Sequence, residues 1–220
     1  MTLEDIYGDV RFERYFALLS EWNNKFNLTA VTERKDVFLK HFYDSVLPLS
    51  IALPLFKEGA RILDVGSGAG FPGVCLKLAR PDLDVTLVES VGKKVLFLDA
   101  LLSELKLTGI RVLKTRVEDF KQKDFNHAVA RAVAPISTLA EYCLPFLKIG
   151  GSCVFYKSAV VENELSAASR SISFLGGKVE NVLFAQLSTE ILRSFVVVRK
   201  FAKTPLGYPR GGNKPKLEPL

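Results

Sequence analysis

Apolar residues recur at three- and four-residue intervals near the start of the chain. Phe12, Tyr15, Phe16, Leu19 and Trp22 fall on one face of a helix. This aromatic stripe reads as a surface facing a core rather than one that stacks bases. A second helix is expected from about Lys35 to Leu49, with Val37, His41 and Ser45 along one face and Asp44 beside it. Residues 3 to about 57 thus read as helical. From residue 60 the period changes, and short apolar runs alternate with helical ones. Strands are expected at 61–65, 84–89, 110–116, 125–130 and 150–156, and helices at 71–79, 92–106, 135–147 and 159–170. Val179 to Leu187 and Ile191 to Phe201 form a closing pair of strands around Ser188-Thr189-Glu190. Such alternation implies a doubly wound α/β sheet, seven-stranded and mostly parallel, covered by helices on both faces. The expected division is a helical extension over 1–57, a core over 58–202 and a tail over 203–220.

The most informative stretch is Arg61-Ile62-Leu63-Asp64-Val65-Gly66-Ser67-Gly68-Ala69-Gly70-Phe71-Pro72-Gly73. An apolar strand ends in an acid, breaks into glycines and opens a helix. Glycines there permit positive φ and let backbone N–H groups approach a ligand. Gly68, Gly70 and Gly73 also satisfy the dinucleotide fingerprint, so two cofactor classes remain open. Glu89, closing Val85-Thr86-Leu87-Val88, can hold ribose hydroxyls in either. The acid at Asp64 tilts the balance. A carboxylate beside a pyrophosphate is unfavourable, whereas S-adenosylmethionine carries a sulfonium and an ammonium.

Composition narrows the setting. A chain of 220 residues with 48% hydrophobic content can bury one substantial core. The net charge of +6 suggests a polyanionic partner. Much of the excess lies at the end, where Arg199, Lys200, Lys203, Arg210, Lys214 and Lys216 face only Glu218. That tail reads either as a phosphate-binding arm or as a solvated terminus. Cys75, Cys143 and Cys153 include no C-x-x-C pair and sit in apolar runs, which argues for buried thiols, a reducing compartment and no zinc site. The acidic start lacks a signal-peptide core, and the longest uncharged apolar stretch, Ser45 to Phe56, is too short to span a bilayer. A cytoplasmic protein is expected.

An open α/β sheet binds ligands at the carboxyl ends of its strands. The loops expected there are 66–70, 89–91, 117–119, 131–135 and 157–158. Val117-Glu118-Asp119 can read an adenine amino edge, though an acid opening a helical turn is the competing explanation. The loop Ala130-Arg131-Ala132-Val133-Ala134-Pro135 lacks the Asn- or Asp-Pro-Pro-aromatic motif of amino-directed methyltransferases. No cysteine lies in these loops to form a covalent adduct. Guanine N7 needs neither, because its in-plane lone pair is available without proton removal. Alignment and exclusion of water suffice. Arg131 is expected to hold the cofactor carboxylate, a phosphate or guanine O6, with a structural salt bridge as the competing reading.

Several blocks together resemble the RsmG/GidB family, bacterial small-subunit rRNA guanine-N7 methyltransferases. They are Trp22-Asn23-Asn24-Lys25-Phe26-Asn27-Leu28-Thr29-Ala30, Lys40-His41-Phe42-Tyr43-Asp44-Ser45 and Leu63 to Gly73, then Arg116-Val117-Glu118, Ala130-Arg131-Ala132, Tyr156-Lys157 and Tyr208-Pro209-Arg210. They occur in the family's order over nearly the whole chain. The resemblance implies a class I, Rossmann-like methyltransferase that uses S-adenosylmethionine on one guanine of 16S rRNA, acting on free rRNA or the small ribosomal subunit. It implies cofactor contacts from Gly66, Phe71, the Glu89-Ser90-Val91 turn, Val117-Glu118 and Arg131. Asp64, Ser67 and Gly68 of the glycine loop join that set. His41, Asp44, Lys157 and Arg210 are the candidates on the substrate side, with capping and bracing of the N-terminal helices as the competing reading for Asp44 and His41. Arg210, Lys214 and Lys216 are the candidates for RNA contact. A monomer without a metal is expected. The tail departs from the family pattern: Gly211, Gly212 and Asn213 follow Arg210 where a lysine and then a glycine are usual, and Leu217 replaces a common basic residue.

Overall fold

A computed structural model describes residues 1–51 and 56–220. Helix α1, Leu3–Gly8, opens with a capping box: the Asp5 N–H donates to Thr2 Oγ1 at 3.1 Å, and the Thr2 N–H donates to Asp5 Oδ2 at 2.6 Å. Helix α2, Val10–Phe26, starts on Asp9 and ends where Asn27 turns left-handed with φ 49°. Its stripe is core, as expected. Phe12 packs on Phe42 at 5.1 Å, Tyr15 on Phe71 at 5.5 Å and Trp22 on Phe97 at 5.8 Å between ring centres.

The second expected helix is not uniform. It runs as α3, Arg34–Val37, a π-helical turn, Phe38–Tyr43, and α4, Asp44–Val46. The wide turn has a consequence at the site. The Asp44 N–H bonds back to the Leu39 and His41 carbonyls, and the Lys40 carbonyl accepts a side chain instead. A short α5, Pro48–Ile51, follows. The last part of the expected helical stretch, 52–55, lies outside the described residues.

Seven strands form one sheet in the order β3-β2-β1-β4-β5-β7-β6. They are β1 Arg61–Val65, β2 Asp84–Glu89, β3 Ile110–Lys114, β4 Phe125–Arg131, β5 Leu147–Ser158, β6 Gly177–Ser188 and β7 Ile191–Lys200. All neighbours are parallel except β7, which runs antiparallel to β5 and β6. The order reverses between β1 and β4, so the loops leaving these two strands diverge to opposite faces and open a crevice between them.

Four helices pack on the sheet: α6 Gly73–Ala79, α7 Gly92–Glu104, α8 Ile136–Cys143 and α9 Glu162–Phe174. Their bounds differ from expectation for local reasons. Phe71-Pro72 delays α6 to Gly73, and α8 stops at Cys143 because Pro145 forces a tight 3-10 turn over Leu144–Phe146. Strand β5 begins three residues before the expected 150, upstream of a register shift opposite Phe125/His127.

Alternation along β1 divides the core. Ile62 packs toward the N-terminal helices, α6 and α7, while Leu63 and Val65 join the α8–α9 side. Asp64 therefore points beneath α6, where it is completely buried. Helix α2 meets the glycine loop at Tyr15, whose hydroxyl donates to the Ala69 carbonyl at 2.5 Å. Tyr15→Phe should destabilise the fold by about 1 kcal/mol and loosen that loop. Urea unfolding will read it; an unchanged midpoint would show that the bond contributes nothing.

The tail also differs from a free arm. It packs along α8 and ends in a short helix, α10, Lys214–Leu217, with Pro215 buried. No helix among the described residues is long and apolar enough to cross a membrane.

Candidate cofactor and substrate clefts

Two clefts lie at the carboxyl ends of the strands, divided by the loop after β4. The first is floored by Gly66, Glu89, Ser90, Val117 and Glu118 and walled by Val133 and Tyr142. Gly66, at φ +70°, has no room for a side chain: a Cβ would stand 2.8 Å from Val133 Cγ2. Glu89 ties the two loops together, with Oε2 accepting from the Gly68 N–H at 2.9 Å and Oε1 from the Val91 N–H at 2.8 Å. Each carboxylate oxygen keeps a lone pair for a ribose hydroxyl. Glu118 uses Oε1 for Arg116, at 2.7 Å, and for the Tyr142 hydroxyl, at 3.3 Å. Burial alone would raise its pKa, but Arg116 and the backbone overcome that, so it lies below its ordinary value.

Asp64 does not line this cleft. Its Oδ2 accepts from the Gly73 N–H at 2.9 Å, bracing the start of α6, while Oδ1 is buried with no partner among the described residues. Burial pushes its carboxyl up to about 7, against the Gly73 and Ser67 hydrogen bonds. Ser67 is likewise buried, its hydroxyl donating to the Asp64 carbonyl at 3.1 Å.

The second cleft, of about 460 Å³, is lined by Lys40, His41, Asp44, Arg131, Lys157 and Arg193, with Tyr156 behind them. Asp44 is its hub. Oδ2 accepts from Arg131 Nη1 at 2.9 Å and Oδ1 from Arg193 Nε at 3.0 Å, with the carboxylate side chain only 3% exposed. Arg131 Nη1 also reaches the Lys40 carbonyl freed by the π turn, at 3.1 Å. Its guanidinium lies 5.0 Å above the Phe71 ring, which stacks on His41 at 4.6 Å. Arg131 thus belongs to this cleft and forms the salt bridge, not a clamp in the first. Three of its five N–H donors are engaged, counting one to His41 Nδ1 at 3.3 Å, so others stay available to a ligand. Lys157 donates to Glu164 at 2.6 Å and to the Ala134 carbonyl at 3.0 Å.

A family model described as GidB, rRNA small subunit methyltransferase G, matches residues 9–192. The chain belongs to the GidB family. It is 43% identical over 96% of its length, and 90% of the relative's, to the ribosomal RNA small subunit methyltransferase G of Lactococcus lactis subsp. cremoris strain MG1363. The protein of that name from Streptococcus pneumoniae serotype 19F is 41% identical over the same shares. Among solved structures, a methyltransferase from Pyrococcus furiosus superposes with a TM-score of 0.61 at 16% identity, covering 87% of this chain and 98% of that one. M. jannaschii TYW2 in complex with AdoMet gives 0.55 at 16%, covering 67% and 70%. The GidB-family chain is an S-adenosylmethionine-dependent methyltransferase of the class I fold.

The first cleft suits that cofactor. Glu89 on the floor keeps a lone pair on each oxygen for ribose hydroxyls, and the Gly66 cradle has space only while no Cβ is there. Of the residues expected to hold it, Gly66, Glu89, Ser90, Val117 and Glu118 line the cleft. Gly68 and Val91 contribute the N–H groups that orient Glu89. Phe71 sits one layer away, between Tyr15, His41 and Arg131.

The family's N-L-T-A block has a mechanical role here. Asn23 Oδ1 accepts from the Thr29 N–H at 2.8 Å, and Thr29 Oγ1 meets His41 Nε2 at 2.8 Å. Because Arg131 can only donate to Nδ1, the ring proton belongs on Nε2, facing Thr29. Nδ1 also lies 3.1 Å from the Lys40 carbonyl, but that oxygen takes the Arg131 Nη1 proton. Burial, and then Arg131, push His41 down to about 4. A histidine depressed in this way binds its proton in the unfolded chain first. Its stability contribution is complete above about pH 6.5 and is lost as pH falls toward 4. Asp64 acts in the opposite sense, its contribution declining as pH rises from about 4 to 7. His41→Gln should therefore flatten the loss of stability on acidification by up to about 3 kcal/mol. Denaturant midpoints from pH 7 to 4 will show it, and parallel curves for the two proteins would refute it.

Several participants escaped the sequence. Arg193 lies in a strand read only as a closing element, and its neighbours Arg199 and Lys200 made it indistinguishable as a site residue. Tyr156 donates its hydroxyl to the Ser45 carbonyl at 2.7 Å, pinning α4 to the sheet. Glu141, 1% exposed, accepts from Arg210 Nη2 at 2.7 Å. Arg210, expected at the RNA, is held on α8 by that pair. A lone acid in the apolar run Ile136–Cys143 was the available signal, since a buried carboxylate requires a partner.

Proposed function

We propose that this methyltransferase places its cofactor's adenosine in the first cleft and the target guanine in the second, and methylates N7 of a guanine in 16S rRNA. The observation that carries this reading is the second cleft itself: four cations around one buried carboxylate, next to the glycine loop. When bound, the cofactor supplies an electrophilic methyl group. The chain's own residues have a positioning task. Lys40, Lys157, Arg193 and the remaining Arg131 donors can hold phosphate or guanine O6.

None of the groups in this cleft is prepared to remove a proton. His41 has both ring nitrogens in contact and is neutral at pH 7. Lys157 is bonded to Glu164, and Asp44 is held between two arginines. Alkylation of N7 needs no such base, because the lone pair attacks directly and the product carries the positive charge. Asp44 is the one carboxylate among the residues lining this cleft. Free 16S rRNA or the assembled small subunit is the partner, in the cytoplasm, with the enzyme acting as a monomer and without a metal.

The test is transfer of label from S-adenosylmethionine to 16S rRNA and to small subunits lacking the modification, followed by nucleoside analysis. Recovery as 7-methylguanosine is expected. Label at another atom would overturn the acceptor, and label in neither RNA would overturn the substrate.

A further inference from the structure

The sequence makes the basic tail a candidate arm for RNA, yet the structure builds it into the first cleft. Asn213 and Lys216 line that cleft opposite Glu89 and Glu118. Three attachments hold them there. Arg210 binds Glu141 through its backbone N–H at 2.7 Å, Nε at 2.9 Å and Nη2 at 2.7 Å, and this carboxylate is 1% exposed. The buried Thr138 hydroxyl donates to the Pro215 carbonyl at 2.9 Å, with the Pro215 ring also buried. Arg116 spans the cleft rim, donating to Glu118 Oε1 at 2.7 Å and to Asn213 Oδ1. A buried carboxylate and a buried hydroxyl both depend on the tail for their hydrogen bonds, so the tail's position is part of the fold.

We propose that residues 210–217 form the outer wall of the cofactor cleft, and that Asn213 and Lys216 retain the adenosine end of the cofactor. The proposal rests on the reading that adenosine occupies this cleft. Its chemistry is complementary. The floor contributes carboxylates, which accept hydrogen bonds from ribose hydroxyls and an exocyclic amine. The tail contributes an ammonium and a carboxamide, which can donate to the ring nitrogens that a purine also presents. Arg116 links the two sides, so Glu118 on the floor and Asn213 on the wall are positioned together. Coupling between wall and ligand must be reciprocal: a tail that retains the cofactor is itself retained by it.

S-adenosylhomocysteine, titrated calorimetrically into the full chain, provides a readout independent of methyl transfer. The double substitution Asn213→Ala with Lys216→Ala should weaken its binding by about ten-fold, and Thr138→Val, which cuts an anchor without touching the cleft, by a smaller factor. Bound S-adenosylhomocysteine should also slow trypsin cleavage after Arg210 and Lys216 in the parent. Thermal unfolding of each variant identifies any loss that reflects misfolding. Glu89→Ala tests the cleft itself. If it abolishes binding while the tail double variant binds like the parent, the wall proposal is wrong and the cleft assignment stands. Tighter binding by the double variant would make the tail an obstruction and equally overturn the proposal. If Glu89→Ala binds normally, the cofactor lies elsewhere and both readings fall.

Discussion

Asp44→Ala should destabilise the protein by about 3–5 kcal/mol, the cost of leaving buried charge unpaired. One carboxylate with 3% exposure holds Arg131 and Arg193, whose side chains are 13% and 26% exposed. Partial access to water at Arg193 favours the lower end of that range. The loss should exceed that from Arg193→Met, because the latter removes a charge instead of stranding two. Urea unfolding of both variants and of the double mutant gives the coupling. Methyl transfer should fall further than stability alone explains, since Arg131 loses the partner that fixes its planar fork, and Arg131→Lys should not restore it. A loss below about 1 kcal/mol would mean the network is solvated and carries little energy.

Gly66→Arg should abolish cofactor binding while leaving the fold intact. The backbone there is left-handed, which costs a non-glycine residue about 1–2 kcal/mol. The new Cβ would press on Val133, and the long side chain would lie across the floor beside Glu89. S-adenosylhomocysteine affinity should drop by more than about a hundred-fold, corresponding to roughly 3 kcal/mol. RNA affinity should change little, because the second cleft lies beyond the Ala132–Val133 wall. Gly66→Ala provides the graded control, with strain and crowding but no obstruction. Methyl transfer by Gly66→Arg at the parental rate would remove the glycine loop from the cofactor site.

The features that could be read from sequence were those with a strong local cause. Buried parallel strands are continuous apolar runs, and the glycine turn after β1 leaves few alternatives for its backbone. The mostly parallel sheet followed from the alternation of strands and helices, whereas the strand order did not. The site was legible on its floor, where Gly66, Glu89 and Glu118 sit at strand ends. It was illegible where residues distant in sequence meet. Asp44, Arg131 and Arg193 come from three separate elements, and nothing in their neighbours distinguishes a hub from a solvated ion pair. The π turn at Phe38–Tyr43 was hidden because its apolar positions suit an ordinary helix equally well. Strand alternation, applied strictly to β1, would have shown that Asp64 faces α6. Charge counting misread the tail for a physical reason: Glu141, the acid that holds Arg210, lies in a different segment and is fully enclosed.

The three cysteines make the protein its own clock. Cys75, Cys143 and Cys153 are all inaccessible, Cys75 is a buried residue of α6, and burial pushes its thiol up to about 12. A thiolate reagent in native buffer therefore meets nothing to react with until part of the sheet opens. Cys75 lies on the N-terminal-helix side of the sheet, whereas Cys143 and Cys153 lie on the other. Their separate labelling rates would time the detachment of each helical layer, with no introduced probe.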